Sequence, residues 1–576
     1  MCGIYGITST DHEFISQYIQ KCKHRGPDGS GEWGDHTVTL GHNLLSIRAD
    51  PKVSRQPWKT LKGNVLVYNG EIFNYFELIN RYHKQFTSKT ECDTELLAWG
   101  LDTFGLDFID QIDSMHGFAY YDIDKKEIIL SRDHAGIKPV FYAEVSQGLI
   151  FGSEIKGMLD YVPNARIVDP LGMGCYALAG INATRNTVFS GIKKLLAGET
   201  IVYDIRNQKI KQTKRIFIKP NSNSELYPDE FKAKVRETVA MCSIGQRKIG
   251  VFLSGGLDSS MVAYELKRII GEVNTFTNRI DPCPVPKEKK PDSGIFSEDY
   301  NSDANCAKVL AQQENFNHTE ITITPQIILD NWDNAIYYME QPMYNQSISM
   351  YCYTNKFLSD KGIVVTMAGD MGDELFGGYP KYQVQQLQPP TSWKGVITNW
   401  TNRLKNSLSV QGFGWQLPRE DIIEELIKCY PADLWNPNDP VASYMALDCV
   451  TQVPEEFFNR NDKFGMAYGM EGRFPLATKM FMQYCLNIPS TLKVNQNIEG
   501  TKQFVKSIYS NYLPQVITTK PKTGWTVPIR DWLKFKNINE DDTSASFVNT
   551  VATKGNKARI PAWILHSWIK RYNITI

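Results

Sequence analysis

The sequence predicts a multidomain protein of the α/β and α+β classes, in which a sandwich of two β-sheets with flanking helices precedes a doubly wound parallel sheet. Three observations support this prediction. The chain has 576 residues, which is too long for a single hydrophobic core and predicts two or three domains. Short β-rich segments separated by turns fill its first third. Buried strands then alternate with amphipathic helices, a pattern typical of a parallel sheet.

The segment before residue 207 supplies the sandwich. A hairpin signal at Asp122–Lys126 indicates antiparallel pairing, and a helical pattern over 93–105 interrupts the strands. The strand-like runs are HTVTLGHNLLSI (36–47), NVLVYNGEIF (64–73), GFAYYDIDKKEIILSRD (117–133) and GLIFGSE (148–154). We therefore expect two stacked sheets with helices on their outer faces.

Polar residues rich in Asn and Lys over 207–228 are typical of a linker between domains. Residues 229–576 form the second domain in this interpretation. Buried strands are predicted at 248–255, 272–280 and 362–370, and an amphipathic helix at 259–270. A tryptophan-rich helical pattern near 383–446 is interpreted as an insertion that packs against the core, in preference to a cofactor site.

Charge and hydropathy exclude several functions. Lys+Arg and Asp+Glu are both 63, so a general nucleic-acid binder, which is usually basic, is not expected. No apolar run is long enough to span a membrane, and the N-terminus lacks a signal peptide, which predicts a cytoplasmic protein. The 11 scattered cysteines are interpreted as reduced thiols.

The chain begins MCGIYG, which places a cysteine directly after the start methionine. Removal of Met1 would leave Cys2 with both a thiol and a free α-amine. The amine has an ordinary pKa of about 7.7–8.0 and the thiol one of about 8.5, so the amine can act as base for the thiol. Cys2 is therefore either an ordinary terminal cysteine or a nucleophile.

The segment LSGGLDSS (253–260) follows a predicted strand and opens a predicted helix. Its glycines permit a tight turn whose N–H groups, with the helix N-terminus, bind an anion such as phosphate. No GKS or GKT follows, so it is not a Walker A loop. Asp258 inside a phosphate loop indicates Mg²⁺ between the carboxylate and the phosphates.

These features together resemble the glutamine-dependent asparagine synthetases over nearly the whole chain. The resemblance implies a class II glutamine amidotransferase domain with an N-terminal nucleophile-type αββα fold at 1–206, and a synthetase domain of the ATP-pyrophosphatase type at 229–576. It rests on MCGIYG, HRGPD (24–28), YNGEIFN (68–74), CDTE (92–95), RDHAGIKPVFY (132–142), GSEIKG (152–157), LSGGLDSS, AGDMGDELFGGY (368–379), GMEGRFPL (469–476) and KPKTGWTVPIRDWL (520–533).

The resemblance assigns roles in a glutaminase site. Cys2 would attack the glutamine side-chain amide and its α-amine would relay the proton. The Asn69 side chain and the Gly70 N–H would form the oxyanion hole. Glu71 and Asp93 would contact the glutamine, with Asp93 paired to its ammonium.

One position departs from the family pattern. The family's HxRLSI supplies an arginine for the glutamine carboxylate, whereas this chain reads HNLLSI with Leu44 at that position. Arg48 is the candidate substitute. If the strand continued, a four-residue offset would keep Arg48 on the same face, with its Cα about 13 Å away.

In the synthetase site the resemblance implies that Asp258 and Asp373 bind Mg²⁺. It also implies that Lys502 stabilises the charge that develops during adenylation and that Asp370 takes up a proton. Asp370 stands where asparagine synthetases usually have glutamate, and Thr478 stands where they have a carboxylate. Both departures favour a different acceptor. Arg473 either clamps an acidic substrate or pairs in the core. The nucleotide residues would be Phe252, Leu253, Ser254, Gly255, Gly256, Asp258, Ser259, Asn278, Ala368 and Gly369.

The implied reaction is ATP-dependent amidation of aspartate, with glutamine as nitrogen donor and ATP and Mg²⁺ bound. Ammonia would cross an apolar passage between the two sites. A synthetase acting on another carboxylate and a non-catalytic glutamine or nucleotide sensor are the alternatives. Expected partners are small molecules, with neither nucleic acid nor membrane, and a homodimer is compatible with the resemblance.

Overall fold

The computed structural model describes residues 2–283, 300–402, 417–494, 501–521, 527–532 and 559–575. In the N-terminal portion, two six-stranded sheets with antiparallel pairing have the strand orders β10-β8-β9-β1-β3-β2 and β12-β11-β7-β6-β5-β4. The strands are β1 Gly3–Ile7, β2 Gly29–Gly34, β3 Thr39–Leu44, β4 Trp58–Lys59, β5 Val65–Ile72, β6 Ser114–Asp122, β7 Glu127–Arg132, β8 Phe141–Val145, β9 Gly148–Gly152, β10 Lys193–Lys194, β11 Glu199–Asp204 and β12 Lys209–Arg215.

Alternating side chains on β1 show how the sandwich is filled. Ile4 is buried between the sheets with Val67 of β5, whereas Tyr5 faces outward and packs on Tyr18, with 4.5 Å between ring centroids. Tyr18 belongs to α1 (His12–Lys21), and α2 (Tyr75–Arg81) and α3 (Asp93–Phe104) pack on the second sheet. The predicted αββα sandwich is confirmed. Helix α4 is Pro170–Ala179.

Strand β12 lies within the predicted linker 207–228. Its Lys209 pairs with Asp204 and its Arg215 with Glu199, so the turn of the hairpin falls at 205–208. The sequence KIKQTKR is polar because β12 is the edge of its sheet and most of its side chains are exposed or half-exposed. Polar composition over 209–215 therefore marks an edge strand, and the prediction that the linker begins at 207 is wrong.

A parallel five-stranded sheet forms the core of the C-terminal portion. Its order is β15-β14-β13-β16-β17, so the chain proceeds to one side of β13 and then to the other. Between β13 and β16 lies the topological switch point, where open α/β sheets bind ligands at the carboxyl ends of the strands. The strands are β13 Ile249–Phe252, β14 Asn274–Ile280, β15 Asn317–Ile323, β16 Val365–Met367 and β17 Glu471–Arg473.

Helices cover this sheet and extend beyond it, and the predicted doubly wound class is confirmed. Among the described residues, no helix is both long and apolar enough to cross a membrane. The helices are α5 Pro228–Cys242, α6 Leu257–Ile270, α7 Ser302–Glu314, α8 Pro325–Asp330, α9 Trp332–Met339, α10 Ile348–Asp360, α11 Gly372–Phe376, α12 Pro380–Leu387, α13 Trp393–Thr401, α14 Arg419–Cys429, α15 Pro440–Val450, α16 Asn459–Ala467, α17 Lys479–Asn487, α18 Ser490–Lys493, α19 Gln503–Tyr509, α20 Gln515–Thr518, α21 Ile529–Trp532 and α22 Arg559–Tyr572.

The predicted insertion near 383–446 falls on α12 to α15 in the residues that the structure describes. Trp393 and Trp400 are buried among core side chains, and Trp435 packs against them from a half-buried position. Trp415 lies outside the described residues. The described tryptophans of this stretch therefore pack in the core, which agrees with the interpretation preferred over a cofactor site.

Buried ion pairs join the two portions. Arg25 Nη1 lies 2.9 Å from Asp462 Oδ2 and 3.1 Å from Glu154 Oε1, and all three side chains are at most 1% exposed. Arg25 and Glu154 come from the sandwich, and Asp462 comes from α16 of the other portion. Because a charge left alone in such a place costs several kcal/mol, these pairs hold the two portions in one arrangement.

Candidate active sites

The first cavity surrounds Cys2, just before β1, and is called the Cys2 cavity. The Cys2 backbone N–H donates to Asn69 Oδ1 at 2.8 Å, which fixes the residue against β5. Burial raises the pKa of the Cys2 thiol, so the neutral thiol needs a base before it can attack. The lining residues are Cys2, Leu44, Leu45, Ser46, Ile47, Arg48, Ala49, Ser54, Gln56, Tyr68, Gly70, Glu71, Cys92, Asp93, Thr94 and Glu471.

Asn69 and Gly70 are adjacent on β5, beside the thiol. The Asn69 side chain is fully buried, and its Nδ2 has no hydrogen-bond partner among the described residues. A Cβ at Gly70 would lie 2.2 Å from the backbone oxygen of Met115, so only glycine fits there. An orphaned amide donor next to a buried thiol has the chemistry of an oxyanion hole.

Two carboxylates and one guanidinium line the wall that would hold glutamine. Arg48 Nη1 lies 2.8 Å from Glu71 Oε1, and the Arg48 guanidinium stacks 3.8 Å from the ring centroid of Tyr75. Burial and the neighbouring Asp93 raise the pKa of Glu71 to about 7, against the opposing charges of Arg473 and Arg48.

Asp93, at the start of α3, accepts hydrogen bonds from the Ile72 N–H and the Tyr68 hydroxyl, both at 3.0 Å. Its pKa is raised by burial, although Arg48 and these two donors oppose the shift. The structure therefore brings together all the residues predicted for this site: Cys2, Arg48, Asn69, Gly70, Glu71 and Asp93.

The route by which Arg48 reaches the cavity differs from the one inferred from the sequence. Strand β3 ends at Leu44, so Arg48 belongs to the loop that follows and not to a continuing strand. The argument from a four-residue strand offset is wrong. The loop turns back on the cavity, and both Leu44 and Arg48 line it.

The C-terminal portion contributes to the same cavity through β17. Arg473 is fully buried, with Nε 2.5 Å from Glu471 Oε1 and Nη2 3.4 Å from Glu71 Oε2. Glu471 lines the cavity although no role was predicted for it. Burial opposes its ionisation, but the positive charges of the amino terminus, Arg473 and Lys138 lower its pKa to about 2. Arg473 was expected either to clamp an acidic substrate or to pair within the core, and the structure shows it paired with buried carboxylates.

The second site begins at the loop after β13. Gly255 has φ +76°, and a Cβ there would lie 2.1 Å from the backbone oxygen of Asp303, so glycine is required. The loop is tied to α6 by Ser254 and Ser259, whose Oγ atoms are 2.9 Å apart. The start of this 14-residue helix supplies free N–H groups and positive dipole for an anion.

Asp258 of α6 and Asp373 of α11 meet at Lys502. Lys502 Nζ lies 2.6 Å from Asp373 Oδ1 and also forms an ion pair with Asp258. Two glycines make room for the carboxylates, because a Cβ at Gly372 would lie 2.6 Å from Asp258 Cγ and one at Gly378 2.0 Å from Asp373 Oδ1.

This pair of carboxylates fits a magnesium ion that also binds substrate phosphates, since Mg²⁺ takes one or two protein carboxylates in such sites. Within the described residues, no group of three or more His, Cys, Asp or Glu side chains could hold a metal by itself. The donor set therefore suits a metal that arrives with a phosphate ligand.

A cavity of about 330 Å³ opens at the switch point and is called the switch-point cavity. It is lined by eight of the predicted residues: Phe252, Ser254, Asp258, Ser259, Ala368, Gly369, Asp370 and Asp373. Gly255, Gly256 and Lys502 line a smaller adjoining cavity, called the loop cavity. Leu253 and Asn278 are buried and line neither cavity. Asn278 Oδ1 accepts a hydrogen bond from Thr354 Oγ1 at 3.0 Å.

Several residues of the switch-point cavity were not predicted, and most of them come from distant helices without a recognisable motif. Tyr351 of α10, Phe457 and Arg460 lie on one wall. Glu374 lies next to Asp373 on α11. Burial and Asp373 raise its pKa to about 8, and neither of its carboxylate oxygens has a hydrogen-bond partner in the described part of the chain.

Thr478 lies away from both cavities, at the start of α17. Asp113 from the sandwich caps this helix, accepting hydrogen bonds from the backbone N–H groups of Lys479 at 2.8 Å and Met480 at 2.9 Å. A carboxylate at position 478 would serve the same helix end. Asp113 therefore supplies a carboxylate at this helix end, and the inference that the departure at Thr478 points to another acceptor stays a prediction.

The fold and its two cavities are those of a two-site enzyme. Residues 230–549, more than half of the chain, match the family model described as asparagine synthase, and residues 1–215 match that of a glutamine amidotransferase domain. The chain therefore belongs to the asparagine synthase family, which is a family of ligases.

Individual relatives are distant but cover nearly the whole chain. "Asparagine synthetase [glutamine-hydrolyzing] 3" of Bacillus subtilis is 24% identical and covers 100% of both chains. "Asparagine synthetase [glutamine-hydrolyzing] 1" of the same organism is 24% identical over 95% of this chain and 91% of its own. "Amidase chry2" of Gibberella zeae is 22% identical over 93% and 88%.

Proposed function

We propose that the protein is a glutamine-dependent asparagine synthetase, which converts ATP, aspartate, glutamine and water to AMP, pyrophosphate, asparagine and glutamate. The observation that carries this proposal is the convergence of Asp258, Asp373 and Lys502 beside the glycine loop at the sheet's switch point. The names of the full-length relatives support the same reaction.

In the Cys2 cavity, the α-amine of Cys2 takes the thiol proton and the sulfur attacks the amide carbon of glutamine. Asn69 Nδ2 and the Gly70 N–H stabilise the oxyanion of the tetrahedral intermediate. The intermediate collapses to a thioester as ammonia leaves with the relayed proton. Water then hydrolyses the thioester and releases glutamate. Arg48 binds the glutamine carboxylate, and Glu71 and Asp93 bind its ammonium group.

At the switch point, an acceptor carboxylate oxygen attacks the α-phosphorus of ATP, and pyrophosphate leaves to give an acyl-adenylate. The glycine loop and the start of α6 bind the phosphates, and Lys502 stabilises the negative charge that develops. Asp258 and Asp373 would hold Mg²⁺, which neutralises phosphate charge when bound. Ammonia then displaces AMP, while Asp370 takes up a proton.

Ammonia would travel along the contact between the two portions. Leu45 and Ile47, which line the Cys2 cavity, form a small buried apolar cluster with Val365 of β16 and Met466 of α16. Strand β16 ends immediately before the loop that carries Asp370. An apolar path favours uncharged ammonia over ammonium, which is the form that can attack the adenylate.

The test is incubation with ATP, Mg²⁺, glutamine and single carboxylates, followed by measurement of AMP and of the amide product. We expect AMP and asparagine with aspartate. AMP with another acid and none with aspartate would overturn the assignment of the acceptor. Absence of AMP with every acid, from protein that still hydrolyses glutamine, would overturn the proposed synthetase reaction.

Amidation of another carboxylate is the second candidate. Asp370 favours it, because its side chain is one methylene shorter than the glutamate usual at this position and it lies on the wall of the switch-point cavity. One relative is named an amidase. The predicted homodimer and cytoplasmic location stay predictions, as does the division into domains apart from the start of the linker.

A further inference from the structure

Arg460 is a buried cation on the wall of the switch-point cavity. Its side chain is held flat against aromatic rings, with the guanidinium carbon 3.8 Å from the centroid of Tyr351 and 5.5 Å from that of Phe457. The residue is 5% exposed. It lies at the start of α16, directly after the π-helical segment Val453–Phe458, and π-helical turns are frequent at functional sites.

This guanidinium has no hydrogen bond and no ion pair with any described residue, and its Nε is buried without a partner. A buried charge without a partner is costly, so proteins pair such groups or use them to bind a ligand. Buried arginines elsewhere in the described chain are paired, as Arg25 is with Asp462 and Arg473 with Glu471.

The position of Arg460 distinguishes it from the phosphate-binding groups. The glycine loop and Lys502 line the loop cavity, and Arg460 does not. In the switch-point cavity Arg460 is the one positively charged residue among those that the structure describes, and five acidic residues share the wall. Within the described part of the chain, an anionic group that enters this part of the cavity therefore has Arg460 as its one cationic partner.

We propose that Arg460 binds the second carboxylate of the acceptor, the one that does not react with ATP, and that the preferred acceptor is therefore a dicarboxylic amino acid. This inference rests on the proposed function. A guanidinium presents two parallel N–H donors to a carboxylate, and such bidentate pairs are strong and directional. The aromatic rings fix the plane of the guanidinium. Binding one carboxylate there leaves the other free to reach the α-phosphorus of ATP.

The test compares aspartate with β-alanine, which keeps the reacting carboxylate and the amine but lacks the second carboxylate. Acceptor-dependent exchange of labelled pyrophosphate into ATP is measured for the wild type, Arg460→Met and Arg460→Lys. Methionine keeps the packing between the rings without the charge. Arg268→Met is the matched control, because Arg268 also stacks on a tyrosine, 3.2 Å from the Tyr264 centroid, but at a half-exposed site away from the cavity.

We expect Arg460→Met to raise the KM for aspartate by about 10²-fold, the effect of removing one partner of a buried charge pair. The KM for ATP should change by less than about threefold, and lysine should restore part of the aspartate affinity. The preference of the wild type for aspartate over β-alanine should largely disappear in Arg460→Met. Arg268→Met should behave as wild type.

An unchanged KM for aspartate in Arg460→Met, or a preserved preference over β-alanine, overturns the inference. A rise in the KM for ATP alone assigns Arg460 to the nucleotide and also overturns it. Glutamine hydrolysis, measured on every variant, establishes that the variant is folded; if the methionine variant fails this check, Arg460→Lys and Arg460→Gln decide.

Equilibrium binding of aspartate, glutamate and β-alanine in the presence of a non-hydrolysable ATP analogue separates this inference from the proposed function. Dicarboxylate binding that depends on Arg460, without any exchange, would contradict the reaction and leave the inference standing. Pyrophosphate exchange in the wild type, together with dicarboxylate binding that is unaffected by the Arg460 substitutions, would support the proposed reaction and overturn the inference. Failure of the wild type to bind either dicarboxylate overturns the inference.

Discussion

Arg473 Nη2 lies 3.4 Å from Glu71 Oε2, so an arginine of the C-terminal sheet touches a carboxylate of the Cys2 cavity. The other oxygen of Glu71 pairs with Arg48 at 2.8 Å. Two guanidinium groups from different portions of the chain thus share one buried carboxylate, which nevertheless has a pKa raised to about 7. This arrangement has a measurable consequence for glutamine binding.

The KM for glutamine should rise as the pH falls from 8 to 6. Burial and Asp93 raise the pKa of Glu71 to about 7, so its ionised form, which is proposed to attract the glutamine ammonium, is lost as the pH falls through that value. We expect about a tenfold rise per pH unit below the inflection, measured as glutamate release. Glu71→Gln should have a high KM without an inflection near pH 7. A flat profile in the wild type would exclude this role of Glu71.

Arg48→Ala should raise the KM for glutamine by about 30-fold or more, because a buried charged partner of the substrate carboxylate is removed. Turnover with ammonium chloride should stay unchanged. The inflection assigned to Glu71 should also move to higher pH, since Arg48 lowers the pKa of that carboxyl. Arg81→Ala, at an exposed ion pair with Glu77, is the control. An Arg48→Ala variant with the KM of the wild type would show that Arg48 does not bind the glutamine carboxylate.

Cys2→Ala should abolish glutamine-supported amide formation and preserve most of the turnover with added ammonium. In the proposed reaction the thiol serves only the release of ammonia, and the switch-point cavity is lined by other residues. Amide product is measured with each nitrogen source in parallel. Cys22→Ala is a matched control, because Cys22 is also a buried free thiol of the sandwich but does not line the Cys2 cavity. Equal losses with both nitrogen sources would contradict the assignment of two sites.

Asp370→Asn should slow amide formation by about 10²–10⁴-fold, the usual cost of a lost general base. Adenylation should be affected less, because the groups proposed to surround the phosphates are Asp258, Asp373 and Lys502, which form ion pairs with one another. Pyrophosphate exchange dependent on the acceptor measures adenylation alone. Asp258→Asn is the comparison and should eliminate exchange. If Asp370→Asn eliminates it as completely, Asp370 belongs to the nucleotide site.

Arg25→Met should lower the free energy of unfolding by about 3–5 kcal/mol, because Asp462 would keep its buried charge without its partner, whereas Glu154 would still be paired with Lys156. Arg81→Met removes an exposed pair with Glu77 and should cost less than about 1 kcal/mol. Urea titrations followed by tryptophan fluorescence measure both. A loss of the same size in the two variants would show that the Arg25 pairs add nothing beyond a surface contact.

The parts of the fold that local sequence determines were predicted well. The run KIGVFLSG predicts a strand, since it is a short apolar stretch that ends at a glycine, and β13 lies there. The loop that follows turns at Gly255, which adopts the positive φ that glycine permits. Residues 209–215 were assigned to a linker because the pattern of an exposed edge strand is polar. Local composition cannot separate these two cases without knowledge of the neighbouring strand.

The unpredicted features of the sites depend on contacts between residues far apart in the chain. Arg48 was a candidate, but its approach through a loop depends on where β3 ends. Arg460 carries no signal of its own, because a single arginine on a helix is usually exposed. Its lack of an ion pair with any described residue and its stacking on Tyr351, more than 100 residues away, are properties of the folded chain. The capping of α17 by Asp113 is of the same kind.

The ionic contacts between Arg25 and Asp462 and between Arg132 and Glu455 bear on how this chain can evolve. Each member of a pair lies in a different portion, more than 300 residues from its partner. Replacing one portion by that of a distant relative would strand a charge wherever the partner differs, and no mutation within the new portion's own core would relieve it. We therefore expect the two portions to be exchangeable only as a matched set, with substitutions at their contact made in compensating pairs.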